Sequence, residues 1–376
     1  MRTSLVNLLI LPVVVFMFLP LLLAGRPSDL NPAILPGTDQ VNARLFSVGR
    51  QLFLRKRTAA EGLGPYFNAE GCISCHHIPV AGGSGDLKDA IVLAALSRNG
   101  HFDPLTSLGG PVFQKHAVPG VAPRMVPKVA NLHSRRIPPN LLGAGLIQEI
   151  PEAAILANAR STPNEDGILG RPNMINRELG RFGYKAQVPS LFQFMFQAEF
   201  TEIGITSPFT PSASIKAANL PMESKVTSQE IFNLMYFVEF LAPFKPIDPA
   251  ADDSAGAKIF ARIGCAECHH PSFNTGPKKL ATFDHVEVPL YSDLLLHNMG
   301  KSLADGFEDG QASGSEFRTA PLWGLGRKKY LLHDGRTTKI PTAINLHGGE
   351  ATAVVDRFHR LSKSEKEALL EFLKSL

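Results

Sequence analysis

Gly71-Cys72-Ile73-Ser74-Cys75-His76-His77 recurs 193 positions later as Gly264-Cys265-Ala266-Glu267-Cys268-His269-His270, and these two stretches hold all four cysteines of the 376-residue chain. Four cysteines are too few to staple a chain of this length with disulfides, so the pairs point to chemistry. In a Cys-x-x-Cys-His run, two closely spaced thiols add to the two vinyl groups of a haem while the next imidazole reaches its iron from the same face. The motifs therefore predict two covalently bound c-type haems, one on Cys72 and Cys75 and one on Cys265 and Cys268, with His76 and His269 as proximal ligands. Two readings compete. A thioredoxin-like redox pair lacks its strand-turn-helix setting, and a zinc site would need two Cys-x-x-Cys knuckles to converge across the whole separation. Adjacent helical residues point about 100° apart, so His77 and His270 cannot share the neighbouring iron and are expected to bond locally or face solvent.

Outward from the motifs, the chain repeats itself. Gly49-Arg50-Gln51-Leu52-Phe53 precedes the first motif and Gly256-Ala257-Lys258-Ile259-Phe260 the second. Each half also closes alike, on a capping box: Thr227-x-x-Glu230, followed by Ile231, Leu234, Met235, Val238 and Leu241, and Ser362-x-x-Glu365, followed by Leu369, Phe372, Leu373 and Leu376. Both apolar sets follow helical spacing. Pro243 to Asp253 carries three prolines and ends in acids, which suits a linker. The expected division is thus 40–244 and 252–376, each a helix, a Cys-x-x-Cys-His turn, loops and a closing helix. The first half is longer and rich in turn signals such as Gly109-Gly110-Pro111, Pro138-Pro139 and Asn164-Glu165-Asp166-Gly167. Few stretches alternate apolar and polar residues for long, so the expected fold class is mainly α with long loops, a bound macrocycle standing in for missing core.

Composition sets the outer bounds. With 29 Pro, 32 Gly and only 19 % charged residues, coiled coils, collagen and charged disordered tails are excluded. At 44 % hydrophobic the chain can bury a sizeable core, and its length suits about two domains. A net charge of +4 without a long basic run gives no reason to expect nucleic acid as a partner. Residues 1–25 read as an export signal: Met1-Arg2 precede an uncharged apolar run, Leu8 to Ala24, broken by Pro12 and Pro20 and ending in Ala24-Gly25. The run is also at the lower limit for spanning a bilayer, so an uncleaved N-terminal anchor stays open beside cleavage. Either way the rest is expected outside the cytoplasm.

Gly62-Leu63-Gly64-Pro65-Tyr66-Phe67-Asn68, Gly180-Arg181-Phe182-Gly183-Tyr184-Lys185-Ala186, Gly204-Ile205-Thr206-Ser207, Ser292 to Gly300, Pro321 to Gly326, Leu332-His333-Asp334-Gly335 and His347-Gly348-Gly349-Glu350 form an ordered set. In that order they resemble the exported di-haem oxidoreductases, kin to bacterial di-haem cytochrome c peroxidases and to the methylamine-utilisation di-haem enzymes. The resemblance implies two cytochrome c-like haem domains facing each other, one haem meeting peroxide or another oxidant and the other passing electrons. It implies a periplasmic peroxidase fed by a donor protein such as a small cytochrome or cupredoxin.

By the resemblance, the sixth ligand of the second haem lies after the Leu-His-Asp-Gly signature, which favours His347. Met299 competes, and it would give a higher-potential Met/His iron. His333 is assigned instead to a propionate or a backbone group. For the first haem, His101, His116 and His133 lie downstream, or the position stays open as in catalytic metal sites. Breaking a bound peroxide needs a group that moves a proton from one oxygen to the other. Gln148 and Glu149, in the segment Leu141 to Glu152 that resembles the relatives' stretch, are the candidates, although this chain carries Gln148 where an acid is usual. Arg135 and Arg136 are candidates for propionates or for assisting cleavage. The lone Trp323 is expected to pack near the second haem, and Asn164, Asp166 and Gly167 suggest a calcium loop. Two alternatives to a peroxidase stand: an electron-transfer cytochrome with no turnover of its own, and a di-haem oxygenase acting on an organic substrate. A haem-free zinc protein is the remaining reading.

Overall fold

A computed structural model describes residues 31–218, 220, 223–246, 252 and 254–376. The expected export signal or anchor lies outside the described residues, as do positions 247–251 and 253 of the expected linker. Among the described residues no helix is long and apolar enough to cross a membrane.

Among the described residues, ten α-helices are spaced along the chain: α1 (Gln40–Leu54), α2 (Ala144–Glu149), α3 (Glu152–Leu156), α4 (Leu191–Ala198), α5 (Ser212–Ala217), α6 (Ser228–Glu239), α7 (Ala255–Arg262), α8 (Ile340–Leu346), α9 (Thr352–Arg360) and α10 (Lys363–Ser375). Helix accounts for 35 % and strand for 14 %, so the expected mainly α class is corrected. Five small antiparallel sheets interleave with the helices. The largest has Ile91–Arg98 at its centre, flanked by His101–Asp103 and Leu132–Arg136, with Ile91 opposite Arg136 and Leu96 opposite Asp103. Ile91-Val92-Leu93-Ala94-Ala95-Leu96 is a continuous apolar run covered on both faces, which a search for alternation passes over. The remaining strands are two or three residues long, too short to carry a pattern.

The repeated Gly-x-x-x-Phe stretches form two like helix pairs. α1 packs on α6 and α7 on α10. A methyl group at Gly49 would run into the Asn233 carbonyl of α6, and one at Gly256 into the Ala368 carbonyl of α10. Glycine at these points lets two backbones approach more closely than any side chain allows. Four residues on, Phe53 is 1 % exposed and Phe260 4 %, each full burial worth about 1.5–3 kcal/mol. The two rings reach the motif histidines in the same way, Phe53 with its centroid 6.4 Å from His76 and Phe260 6.3 Å from His269. Both predicted capping boxes are formed, Glu230 N–H donating to Thr227 Oγ1 at 3.2 Å and Glu365 N–H to Ser362 Oγ at 3.3 Å.

The larger apolar cluster joins α1, α2, α4 and α6 and includes Trp323 from the second half. A smaller one holds Phe260, Tyr291, Phe358, Leu369 and Phe372. Trp323 is thus buried in the larger cluster beside second-half residues such as Leu290 and Leu294. Its ring lies against Gly143, where an added methyl would meet Cζ2 at 2.5 Å.

Candidate haem-binding site

Each Cys-x-x-Cys-His run folds as one tight turn, because the histidine N–H closes back on the first cysteine: His76 N–H to the Cys72 carbonyl at 3.0 Å and His269 N–H to the Cys265 carbonyl at 2.9 Å. That closure brings two thiols and an imidazole together over a span of five residues. Both turns open onto one cavity of about 1090 Å³ with a mostly apolar lining, to which all four cysteines, His76 and His269 contribute. None of the four is in a disulfide. Burial pushes Cys72, Cys75 and Cys265 up to about 12 and raises Cys268, so all four are neutral thiols. Among the described residues no three of His, Cys, Asp or Glu converge for a metal ion, so the two pairs do not make one zinc site.

The histidines are prepared as ligands. His76 Nδ1 faces the carbonyls of Gly83 at 3.1 Å and Pro139 at 3.0 Å, and His269 Nδ1 faces that of Tyr291 at 2.9 Å. A carbonyl only accepts, so Nδ1 carries the proton and Nε2 keeps a free lone pair. This is the arrangement by which a backbone carbonyl orients a metal-ligating imidazole. Burial pushes both rings down to about 4, which keeps them neutral. His347 shares the device: Nδ1 donates to the Ala343 carbonyl at 2.7 Å, burial lowers its pKa, and it lines the cavity. Met299 lines it too.

Cations meet the other requirement of a haem, its two carboxylates. Arg318 and Lys328 line the cavity, and Arg318 Nε donates to the Gly183 carbonyl at 3.0 Å while Nη1 is buried with no partner. Burial lowers Arg318 to about 10 and Lys328 to about 8, with Arg318 also repelling the lysine. Arg318 and Lys328 are half-buried, the Asp293 charge reaches Arg318, and the orphaned Nη1 of Arg318 leaves a cationic donor that fits a propionate. Thiols, Nε2 lone pairs and an orphaned cationic donor together suit the group that the motifs imply.

Several expected residues are placed elsewhere. Gln148 accepts the Leu191 N–H at 2.9 Å and Glu149 is ion-paired with Lys278; neither lines the cavity. His101, His116 and His133 are exposed and off the cavity, since all three sit on the strands of the small sheets or beside them. Arg135 is exposed, whereas Arg136 lines the cavity but is paired with Asp305 at 3.0 Å. The calcium loop is not assembled: Asp166 is engaged by both Nη atoms of Arg357, and Asn164 Oδ1 accepts the N–H groups of Asp166 and Ile168. His77 lies 3.9 Å from Asp89 and His270 stacks near Phe273, both away from the role of ligand. His333 is buried and lines the cavity, stacked on Phe317 at 4.4 Å.

Two acids that sequence reading missed stand beside the first motif. α4 runs on into one π-helical turn, Glu199–Ile203, ended by Gly204 at φ +73°. Glu199 and Glu202 line the cavity, close enough to Cys72 and Cys75 respectively for their charges to raise the thiols. The signal was present, since acids three apart following the apolar α4 are unusual, but only the extra π-turn residue turns both inward. His297 was also missed: its ring lies between Asp293 at 2.8 Å and Glu350 at 2.7 Å, and these partners raise its pKa well above normal despite burial.

Residues 120–376, well over half of the chain, match the family described as "Di-haem oxidoreductase, putative peroxidase". No curated protein matches the chain. Among solved structures it is similar to hydrazine synthase of Kuenenia stuttgartiensis (14 % identity over 97 % of this chain and 100 % of that one, TM-score 0.43). It is also similar to a MauG-like protein associated with microbial copper homeostasis (15 %, 93 % and 94 %, 0.43). A third is the diheme peroxidase BthA from Burkholderia thailandensis E264 (14 %, 92 % and 87 %, 0.43).

Proposed function

The chain belongs to the di-haem oxidoreductases, an enzyme family of peroxidase type, and from that premise we propose that it is a periplasmic c-type peroxidase that passes electrons through two covalent haems to hydrogen peroxide or a similar small oxidant. The observation that carries this is the opening of both Cys-x-x-Cys-His turns onto one apolar cavity, each with its imidazole locked as the Nδ1–H tautomer. When bound, the haems supply two one-electron centres and an iron able to bind the oxidant.

The protein's own residues do the rest. Cys72 and Cys75 fix one haem and Cys265 and Cys268 the other, while His76 and His269 present Nε2 to the irons. His347 would help to hold the second haem, in preference to Met299, because its tautomer is already set by Ala343. Arg318 and Lys328 neutralise propionates, and the apolar lining excludes bulk water from the site. Among the described residues, His101, His116 and His133 lie off the cavity, so none of the three would hold the first haem, which supports turnover there over plain electron carriage. The donor is a small cytochrome or cupredoxin outside the cytoplasm, reached through the export signal read at residues 1–25.

The test is peroxide added to the half-reduced protein. Reoxidation of the haems with a spectral change at the high-spin centre is expected; indifference to peroxide would move the assignment to an electron carrier.

A further inference from the structure

Glu199 is 2 % exposed, lines the cavity, and has one carboxyl oxygen, Oε2, that is buried without any hydrogen-bond partner. Burying a carboxylate oxygen unpaired is costly, and the cost is relieved when the group takes up a proton. The groups facing it are few. Arg57, which follows α1, and Glu230 of α6 act on it from one side, and Cys72 of the first haem turn from the other. Glu202, on the same π turn, is instead satisfied, accepting from Asn68 Nδ2 at 2.7 Å and from Thr201 Oγ1 at 3.1 Å.

We propose that Glu199 is the proton acceptor coupled to reduction of the first haem: one electron arrives from the donor protein, and the Glu199 carboxylate takes one proton from solvent and becomes a carboxylic acid. The proposal rests on the di-haem reading and deepens it. Its ground is geometric, an orphaned carboxyl on a π-helical turn beside the thiol that would carry that haem. An electron added to a low-dielectric pocket strengthens repulsion of a nearby carboxylate, and a proton bound there cancels the added charge. Burial, the main cause, pushes Glu199 up to about 7, with Arg57 opposing and Glu230 assisting, so the carboxyl can change state near neutral pH. Glu230, itself only partly buried, accepts from Arg57 Nη2 at 3.3 Å.

The test is an optical redox titration of the two-haem protein at a series of pH values, with the first haem identified as the one lost when Cys72 and Cys75 are replaced. In the natural chain its electron affinity should fall up to tenfold per pH unit around neutrality, about 59 mV for a one-electron couple. Glu199→Gln should abolish that dependence while keeping two haems per chain, and Glu202→Gln should leave it in place. An unchanged slope in Glu199→Gln, or its loss in Glu202→Gln alone, overturns the assignment. If Glu199→Gln does not fold, the infrared difference spectrum of the natural chain decides. A protonated-carboxyl band appearing on reduction and shifted in Glu199→Asp supports the proposal, and the lack of any such band contradicts it. A chain with two haems and a pH-independent potential defeats only the Glu199 assignment, whereas a chain with no covalent haem defeats the di-haem reading beneath it.

Discussion

The Nδ1–H of His347 donates to the carbonyl of Ala343, 2.7 Å away within the last turn of α8. The contact satisfies a carbonyl that the helix end leaves orphaned, and it fixes the ring with its Nε2 lone pair free. Replacing His347 by Ala should convert one low-spin haem to high-spin without changing the haem count. An unchanged spectrum in that variant, together with a changed one in Met299→Ala, would transfer the ligand role to Met299.

Each Cys-x-x-Cys-His turn closes on itself through its own backbone hydrogen bond, so attachment of a haem at one would be independent of the other. Cys72→Ala combined with Cys75→Ala should remove one of two covalent haems, counted in alkaline pyridine. Loss of both, or of neither, would break the correspondence between motif and haem.

Close helix approach sets the next expectation. Gly49→Ala would gain about 1 kcal/mol of helix propensity, but its methyl meets the Asn233 backbone, which cannot move aside as a side chain can. Overpacking of this kind costs about 1–3 kcal/mol, so the net effect should be a lowered midpoint in urea. A midpoint at or above that of the natural chain would show that the two helices can separate without loss.

His333 gives a pH dependence of stability. Burial pushes its ring down to about 4, and protonation would set a second cation against the Phe317 ring that Lys185 already covers at 3.8 Å. The unfolded chain binds this proton near pH 6.5 and the folded chain only near 4, so folding is favoured above 6.5 and loses that contribution as pH falls towards 4. His333→Phe should flatten the acid limb of a plot of thermal midpoint against pH, by about one proton's worth of slope. An identical limb would assign the acid sensitivity to other groups.

What could be read from the sequence was local or periodic. The Cys-x-x-Cys-His turns, the paired glycines and phenylalanines and the two capping boxes each lie within a few residues, and each keeps its meaning in the fold. The sheet around Ile91–Arg98 was missed because both of its faces are covered, which erases alternation. Gln148 and Glu149 were picked by resemblance to a segment whose side chains here turn to Leu191 and Lys278. Arg318, Lys328 and Glu199 could not be singled out at all. A charged residue acquires its meaning from being buried without a partner, and burial is decided by elements distant in sequence.

The most direct measurement is a haem count in alkaline pyridine on the purified protein, followed by hydrogen peroxide added to its half-reduced form. Two covalent haems, with a high-spin fraction that shifts on peroxide as the reduced haem is oxidised, are predicted. No covalent haem, or two low-spin haems unmoved by peroxide, would contradict the assignment of a di-haem peroxidase.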